Sequence, residues 1–556
     1  MISRAFSVNR VCLAVLVMGA FVACGGDDTP SQPPPGALGA SCDPAAATAC
    51  NEGLACSERA EGGPVCTIAP GEACDAADSD HDNGGCAENA ECVAREGSTE
   101  TVCLTLEAGE CDPEQEACTN GLTCAELENG EHRCFGEVIF RGEVTDTSDG
   151  AAIENAHVIA VDEEGVAVTD VAKSDAMGLY DLPIPAVRDE SGVPVSAKFT
   201  LRAAAQDYQP FPSGVRVALP IDVSEATPDG EGYVLDSALT DVGLIPLEAA
   251  ERTQISGKIV ALEGEAAGEV GGVLVVATGE AGAFSGLSDK AGDFVIFNVP
   301  EGDYDLHAYA AEIQIESESV SVAADPVEGV ELAQLDDETT RVTGSVQIVN
   351  APGGSLTSVI LVVEDTFDPN AARGEVPRGL RTPKSGAPNV SGDFVIEGVP
   401  AGRYVVLAAY ENDGLVRDPD TNIAGTDFVK IDVMPGQGDL AIAESFKVTE
   451  ALATVSPGVD QPEAVEDKPE LVWADDSSED WYDVRVFDAF GTEVWSSLEL
   501  PGVSGGENAS VQYEGPLEPG MYYQFRVSSW RQPGNGDAAP ISTTEDLRGV
   551  FFLPAK

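Results

Sequence analysis

Twelve cysteines between residues 42 and 134 constrain this chain more than any other feature of its 556-residue sequence, and no cysteine follows them. They fall into three sets of four, and five residues separate the second cysteine from the third in every set. The sets are Cys42, Cys50, Cys56 and Cys66; Cys74, Cys86, Cys92 and Cys103; and Cys111, Cys118, Cys124 and Cys134. A pattern that recurs in this way indicates an array of small units, which we place at 42–135.

Units of this size cannot bury enough apolar surface to fold without covalent or metal crosslinks. In an exported protein the crosslinks are disulfides, each of which contributes about 2–4 kcal/mol. Zinc is the competing use of clustered cysteines, but the chain has no C-x-x-C pair, and His81 and His132 do not recur with the repeat. Four cysteines allow three pairings per unit, of which we favour first-to-third with second-to-fourth. The spacing resembles the small cysteine-rich repeats of the Dickkopf N-terminal type.

The N-terminus has the form of a secretory signal. Arg4 and Arg10 precede an apolar run from Val11 to Val22, which is 12 residues long. A membrane-spanning helix needs about 20 residues, so this run is too short to span. Residues 1–23 are therefore predicted to be a signal peptide, which would remove Cys12.

The sequence Phe21-Val22-Ala23-Cys24 resembles the lipobox of bacterial lipoproteins, with Phe21 where leucine is usual. The resemblance implies lipid attachment at Cys24, and residues 24–41, rich in Gly, Pro and Ser, would form a flexible tether. We expect an exported protein, anchored by lipid to the bacterial outer membrane, cell surface or periplasmic face. The alternative is an ordinary secreted protein that is cleaved nearby.

A different pattern begins after Cys134, where short β-branched runs alternate with Gly, Pro, Asp and Asn turns. Two stretches repeat almost identically: Gly292-Asp293-Phe294-Val295-Ile296 leads to Val299-Pro300-Glu301-Gly302-Asp303-Tyr304, and Gly392-Asp393-Phe394-Val395-Ile396 leads to Val399-Pro400-Ala401-Gly402-Arg403-Tyr404. Each stretch predicts a hairpin: an apolar strand is followed by a Pro/Gly turn and then by a strand that begins with an aromatic residue.

These motifs resemble the carboxypeptidase regulatory-like family, whose members have a transthyretin-like (prealbumin-like) β-sandwich. The resemblance covers three copies, at 136–250, 251–340 and 341–448. It implies an accessory sandwich and a distant relation to carbohydrate-binding folds. A Pro-rich acidic linker is predicted at 449–469.

The last module, at 470–556, contains Leu517-Glu518-Pro519-Gly520-Met521-Tyr522-Tyr523, which resembles the tyrosine corner of fibronectin type III domains. On that resemblance Trp473 and Tyr523 are core and corner residues. The alternative use of aromatic residues is a sugar-stacking surface, for which Trp481, Trp495 and Trp530 are the candidates. The predicted fold class is therefore all-β, with tandem prealbumin-like and fibronectin type III-like β-sandwich modules after a disulfide-rich array.

The net charge of −68 makes nucleic acid an improbable partner, because such a field repels phosphate backbones. We interpret the carboxylates mainly as a solvated acidic surface. One local cluster, Asp78, Asp80 and Asp82, has the alternate spacing of a calcium loop, although Asn89 stands where a bidentate Glu is expected. Calcium is accordingly the one candidate cofactor, and an acidic loop between cysteines is the alternative.

The sequence contains no pattern typical of catalysis. None of its four histidines belongs to an H-x-x-E or H-E-x-x-H pair, and Gly502-Val503-Ser504-Gly505-Gly506 lacks the strand and helix that flank a nucleophile elbow. We predict a protein that is not an enzyme: a stalk-like string of modules for adhesion, envelope structure or protein contact, attached to the membrane by its lipid. The alternatives are a carbohydrate-binding surface protein and a hydrolase with an unfamiliar site.

Overall fold

The structure is a computed structural model. It describes residues 37–38, 40–43, 50–57, 63–75, 82–87, 89–94, 100–113, 118–119, 121–262, 264, 268–349, 356–369, 373–386, 388–408, 428–443, 446–449, 451–476, 479–503, 508–532, 534, 538–545 and 547–554. The chain divides into two compact units, residues 1–106 and 107–556. Within the described residues, no helix is long and apolar enough to cross a membrane.

The first unit contains two antiparallel hairpins. Strand β1 (Leu54–Ser57) pairs with β2 (Val65–Ile68), and β3 (Ala90–Ala94) pairs with β4 (Thr101–Thr105). A short 3-10 helix, Asp82–Gly85, precedes β3. The apolar cluster around the second hairpin is small and more than half of it is cysteine: Cys86, Ala87, Ala90, Cys92 and Cys103, with Ile68 and Cys74 packed against them. These units therefore depend on covalent crosslinks, as their size predicts.

The second unit begins with a third hairpin of the same form, β5 (Leu122–Glu126) with β6 (His132–Gly136). The buried Arg188 joins this hairpin to the sandwich that follows. Its Nη2 donates to the Gly136 carbonyl at 2.6 Å, and its Nη1 donates to the Gly192 carbonyl at 3.0 Å. Buried hydrogen bonds from a charged donor are stronger than neutral ones, so this side chain fixes the hairpin against the sandwich.

The first β-sandwich contains a six-stranded sheet, ordered β12-β16-β7-β15-β14 with β10 also on β7, and a four-stranded sheet, ordered β13-β11-β8-β9. A 3-10 helix, Val223–Glu225, follows β13. Strict alternation of exposed and buried residues along β10 sends every second side chain into the core between the sheets. The strands are β7 (Val138–Asp146), β8 (His157–Val161), β9 (Ala172–Lys173), β10 (Leu179–Ile184), β11 (Lys198–Ala204), β12 (Tyr208–Gln209), β13 (Ile221–Asp222), β14 (Thr227–Asp229), β15 (Gly232–Asp236) and β16 (Val242–Pro246).

The second and third sandwiches share one topology, as their repeated motifs predict. In each, the first strand lies between an antiparallel partner and a parallel one, and a second four-stranded sheet covers the core. The second comprises β17 (Thr253–Val260), β18 (Leu274–Gly279), β19 (Gly282–Leu287), β20 (Asp293–Val299), β21 (Gly302–Tyr309), β22 (Gln314–Ile315), β23 (Glu318–Val322) and β24 (Val327–Leu335). The third comprises β25 (Thr340–Val349), β26 (Val359–Val363), the 3-10 helix Glu364–Thr366, β27 (Arg381–Thr382), β28 (Asp393–Val399), β29 (Gly402–Ala408), β30 (Val429–Val433), β31 (Leu440–Ala441) and β32 (Phe446–Thr449).

The fourth sandwich has a three-stranded sheet, β33-β35-β38, and a six-stranded sheet, β34-β41-β39-β36-β37 with β40 also on β39. Its strands are β33 (Thr454–Ser456), β34 (Glu463–Ala464), β35 (Glu470–Trp473), β36 (Trp481–Asp488), β37 (Glu493–Pro501), β38 (Ala509–Gln512), β39 (Tyr522–Arg531), β40 (Ala539–Thr543) and β41 (Val550–Phe552). The fold class is all-β, with tandem β-sandwich modules after the disulfide-rich array.

We predicted a linker at 449–469, but residues 451–469 belong to the fourth sandwich, and Thr449 ends β32 of the third. Strand β33 pairs antiparallel with β35, and β34 pairs parallel with β41. Leu452 is buried in the core of this sandwich. Proline and acidic residues obscured these short edge strands, because such composition is also typical of exposed strand edges.

The four sandwiches do not form a simple string, in contrast to the stalk that the sequence predicts. The first and fourth are in direct contact, since Gln209 Nε2 donates to the Ala489 carbonyl at 2.9 Å. The third also contacts the fourth, where Arg373 Nη2 donates to Gln524 Oε1 at 2.5 Å. The last sandwich therefore packs back against the first.

Candidate functional site

Six disulfides join the cysteines of the three hairpins, and each hairpin has the same two. The first cysteine of each set bonds to the third and the second bonds to the fourth, with Cα–Cα distances from 5.6 to 5.9 Å: Cys42–Cys56, Cys50–Cys66, Cys74–Cys92, Cys86–Cys103, Cys111–Cys124 and Cys118–Cys134. The third and fourth cysteines of each set are opposite each other across the two strands. Each strand is thus bonded to the loop that precedes the hairpin.

The metal-binding alternatives for this region have little support in the described residues. Three cysteine trios have sulfur atoms close enough to hold an ion: Cys42, Cys50 and Cys66; Cys74, Cys86 and Cys103; and Cys111, Cys118 and Cys134. Every one of these sulfurs is in a disulfide and has no thiolate to offer. The predicted calcium ligands Asp78 and Asp80 lie outside the described residues, and for Asp82 only the backbone is described.

The predicted lipid-attachment residue Cys24 and the central serine of the G-x-S-x-G match, Ser504, also lie outside the described residues. Candidate sites must therefore be sought on the sandwiches. Two sets of tyrosines that the sequence analysis singled out prove to be structural there. Tyr304 and Tyr404 each donate from the hydroxyl to the carbonyl of the proline four residues earlier, Pro300 and Pro400, at 3.0 Å.

The fourth sandwich has the corresponding feature at its own corner. The Tyr523 hydroxyl accepts a hydrogen bond from the Glu518 N–H at 3.0 Å. Trp473 is 1% exposed and contacts the Tyr482 ring edge-to-face at 5.3 Å. Burial raises the pKa of Tyr523 and of Tyr482, so both remain protonated donors and acceptors over the physiological range. These residues stabilise the sandwich and are not available to a ligand.

An aromatic row on the outer face of the fourth sandwich is the surface best suited to binding. Trp481 on β36 lies directly opposite Trp530 on β39, and the rings are stacked with centroids 6.0 Å apart and planes 7° from parallel. Pro501 on β37 is opposite Trp481, and Pro540 on β40 is opposite Trp530. The row therefore crosses four adjacent strands, and neither tryptophan is fully buried.

Polar groups lie at one end of this row. A Cβ placed on Gly502 would collide with Glu479 Oε1, so the Glu479 carboxylate is beside the residue that follows Pro501. Burial, reinforced by Asp475 and Asp476, raises the pKa of Glu479 to about 7. A carboxyl group near neutrality is able to donate or accept hydrogen bonds beside an apolar ring surface.

Of the three tryptophans that were candidates for the alternative, a sugar-stacking surface, the structure brings Trp481 and Trp530 together. Trp495 is elsewhere: it packs edge-to-face against Tyr513 at 5.4 Å, next to the core. Sequence reasoning could not separate it from the others because all three precede or follow polar residues in strand-like runs. The pairing of Trp481 with Trp530 depends on the register between β36 and β39.

No family model and no curated protein sequence matches the chain. Among solved structures, the Bacillus anthracis TIE protein is similar at 10% identity and a TM-score of 0.14, covering 75% of this chain and 74% of that one. BcpA, the major pilin subunit of Bacillus cereus, is similar at 9% identity and a TM-score of 0.15, covering 56% and 99%. GBS52, the minor pilin of Streptococcus agalactiae, is similar at 13% identity and a TM-score of 0.15, covering 37% and 100%. Scores this low carry no argument about arrangement or function.

Proposed function

We propose that this chain is an exported, lipid-anchored surface protein without enzymatic activity, with a role in adhesion, envelope structure or protein contact. The observation that carries the proposal is the set of six disulfides. Such bonds persist in oxidising compartments and are rare in a reducing cytosol. The acidic charge of −68 keeps such a surface soluble and repels nucleic acid.

The surroundings of the described histidines favour a non-catalytic role. His157 packs edge-to-face on Phe297 at 5.1 Å, and His307 lies against Tyr309 at 6.3 Å. His132 is on β6 of the third hairpin. Within the described part of the chain, none of the three forms a hydrogen bond with a carboxylate or a serine hydroxyl, the arrangement that activates a nucleophile. Trp481 and Trp530 instead offer a contact surface.

Mass spectrometry of the intact mature protein tests the central claim. We expect an N-terminus at Cys24 that carries a diacylglyceryl group, and a gain of two hydrogens for each of the six disulfides after reduction and unfolding. A full-length cytosolic product with free thiols would contradict it. The variant Cys24→Ala should abolish lipidation and release the protein from membranes. The matched control is Cys12→Ala, which alters a cysteine of the predicted signal peptide and should leave anchoring intact.

A second candidate function, carbohydrate binding, is favoured by the Trp481–Trp530 row. Parallel aromatic faces beside a carboxyl group suit a sugar ring, which has apolar faces and a rim of hydroxyl groups. Each aromatic contact of this kind also needs little conformational ordering, because tryptophan has few rotatable bonds.

A glycan array with the full chain separates the two functions. Binding that disappears in Trp481→Ala and Trp530→Ala would establish the carbohydrate function. Trp495→Phe is the control, because it changes a tryptophan that packs against the core and should leave binding unchanged. Silence across the array, with a folded protein, would favour contact with proteins or envelope structure.

Two further parts of the proposal concern calcium and module identity. Calcium would bind Asp78, Asp80 and Asp82. Calorimetric titration of the full chain with calcium, compared with the same titration of Asp80→Asn, tests this site; absence of heat at millimolar calcium would remove it.

We also propose the module boundaries and the prealbumin-like and fibronectin type III-like identities. The boundaries are 42–135, 136–250, 251–340, 341–448 and 470–556. Limited proteolysis with mass mapping tests the boundaries. Cleavage should spare β33 and β34, because these strands pair within the fourth sandwich.

A further inference from the structure

A cavity of about 510 Å³ lies between the first and second sandwiches. Its walls are formed by residues of β8, β9 and β11 on one side and of β17, β19, β20 and β24 on the other, and Glu375 of the third sandwich also lines it. A cavity of this volume suits a small molecule. It also lies where modules meet, which is a common place for ligand sites.

The walls are largely apolar. Ile159 and Phe211 line the side formed by the first sandwich, and Phe297 lines the side formed by the second. His157 lies beside Phe297, and burial together with the nearby Lys173 lowers the pKa of His157 to about 4. The imidazole is therefore uncharged at neutral pH and adds to the weakly polar surface.

Arg202 is the unusual group in this cavity. Burial lowers the pKa of its guanidinium group, and its Nε atom is buried without a hydrogen-bond partner among the described residues. The residue as a whole is half-buried, and a buried polar atom without a hydrogen bond costs a folded protein about 1–3 kcal/mol in general. Groups of this kind cluster at functional sites.

Glu375 carries the charge opposite to that of Arg202 but forms no ion pair with it among the described residues. It comes from the third sandwich and interacts electrostatically with Arg202. Burial raises the pKa of Glu375 despite the opposing effect of Arg202, so the carboxyl group takes up a proton more readily than an exposed one. Both groups line the same cavity.

The other charged groups in the lining have different roles. Lys258 Nζ is bonded to Asp293 Oδ1 at 3.1 Å. Asp289 is 5% exposed and accepts backbone N–H bonds from Ala291 at 3.0 Å and Asp293 at 2.9 Å. Lys173 is exposed and adds a positive charge near the opening. Glu331 also lines the cavity and is exposed. Arg202, Glu375, Glu331 and Lys173 form no ion pair within the described residues, and Arg202 and Glu375 are the more buried of these four groups.

We propose that this cavity binds a small organic acid that has a hydrogen-bond donor next to its carboxylate and an apolar side group, as amino acids and hydroxy acids have. The ligand carboxylate pairs with the Arg202 guanidinium group, which matches a carboxylate in shape and charge. The adjacent amino or hydroxyl group donates to Glu375, and the side group packs against Phe211 and Phe297. This inference does not depend on the lipid anchor or on any surface role.

Isothermal titration of the full, folded chain tests the proposal with phenylalanine, leucine, phenyllactate and lactate as probes, alongside phenylalanine amide and 3-phenylpropanol, which lack the carboxylate. We expect at least one carboxylate probe with an apolar side group to bind, and we expect no binding of phenylalanine amide or 3-phenylpropanol. Comparison of phenylalanine with phenyllactate distinguishes an amino donor from a hydroxyl donor.

Arg202→Met should weaken binding at least tenfold, since it keeps the length of the side chain and removes the charge. Arg141→Met is the matched control, because Arg141 is exposed on the first sandwich, where it pairs with Asp181 at 2.7 Å. Glu375→Gln should reduce the preference for a donor-bearing acid over 3-phenylpropionate, and it provides the test if Arg202→Met does not fold. Absence of heat with all carboxylate probes at millimolar concentration, or equal binding by wild type and Arg202→Met, would overturn the proposal.

Discussion

The first sandwich makes two junctions that differ in kind. Its contact with the fourth is close and apolar: Val215 and Ile245 pack with Ala489 and Val550, and all four are buried. Its contact with the second, which we call the polar junction, contains the hydrogen bonds of Asn298 and borders a cavity whose walls are largely apolar. A smaller cavity, of about 310 Å³, also borders the junction with the fourth sandwich, where Phe211, Arg216 and Tyr522 are among its lining residues. The two junctions thus differ in how their surfaces pack and in the size of the cavity beside them.

Two details show how close the first junction is. The Arg216 guanidinium group lies between the rings of Phe211 and Tyr522, 4.6 and 4.8 Å from their centroids. Gly520 has φ +74°, and a Cβ there would collide with the Thr147 carbonyl oxygen. Only glycine permits that approach, because any side chain would collide with backbone that cannot move aside.

The largest effect should come from Gly520→Val. The added atoms force the fourth sandwich away from the first, with a loss of about 3 kcal/mol or more from strain and lost packing. Small-angle scattering should show a larger radius of gyration, and calorimetry should show separate melting of the fourth sandwich. Gly230→Ala is the control, since Gly230 has φ +62° but nothing within 4 Å of a Cβ. An equal radius of gyration in the two variants would show that the first and fourth sandwiches are not in close contact.

The polar junction should respond to Asn298→Ala. Asn298 Oδ1 accepts the Asp207 N–H at 2.6 Å, and Nδ2 donates to the carbonyls of Tyr208 at 2.8 Å and Ala205 at 3.1 Å. The variant loses these three hydrogen bonds from a side chain that is 7% exposed, at a cost of about 2–3 kcal/mol in the free energy of unfolding. Denaturant titration measures it. Asn155→Ala is the control, because Asn155 has a similar φ of 61° but is exposed; an equal loss there would mean that φ, not the junction, matters.

The polar junction should also weaken in acid. The pKa of His157 falls from 6.5 to about 4 on folding, so the unfolded chain binds a proton that the folded chain rejects between these values. The contribution of this residue to the free energy of unfolding is independent of pH above 6.5 and falls by about 3 kcal/mol as the pH falls to 4.

Asp289 and Glu375 oppose this trend, because burial raises their pKa values and the folded state then gains protons more readily as the pH falls. The comparison of wild type with His157→Gln isolates the histidine, and thermal unfolding from pH 7 to 4 measures it. The wild type should lose more stability than the variant over this range; parallel curves would contradict the assignment.

The smallest effect should come from the exposed ion pair at the contact between the second and third sandwiches. Lys384 Nζ lies 2.7 Å from Glu312 Oε1, with about half of each side chain exposed or more. Lys384→Ala should cost less than about 1 kcal/mol in the free energy of unfolding, and the difference should vanish at 1 M salt. A larger loss in chemical denaturation, unaffected by salt, would indicate packing rather than charge.

The sequence by itself determined the modules of this protein. Cysteine spacing and strand alternation are local signals, and they were sufficient to predict three disulfide-crosslinked units followed by all-β modules. The resemblance to a tyrosine corner placed Trp473 in a core and Tyr523 at a corner. The edge strands β33 and β34 were missed because two or three residues carry no measurable periodicity.

Only the tertiary structure decided which outer faces meet. The packing of the fourth sandwich on the first, the alignment of Trp481 with Trp530, and the approach of Arg202 to Glu375 all join residues that are distant in the chain. Side chains on the outer face of a sheet have no required pattern, because either solvent or another module can cover them. Contacts between modules thus depend on shape and on single residues such as Gly520, which no local pattern distinguishes from an ordinary turn glycine.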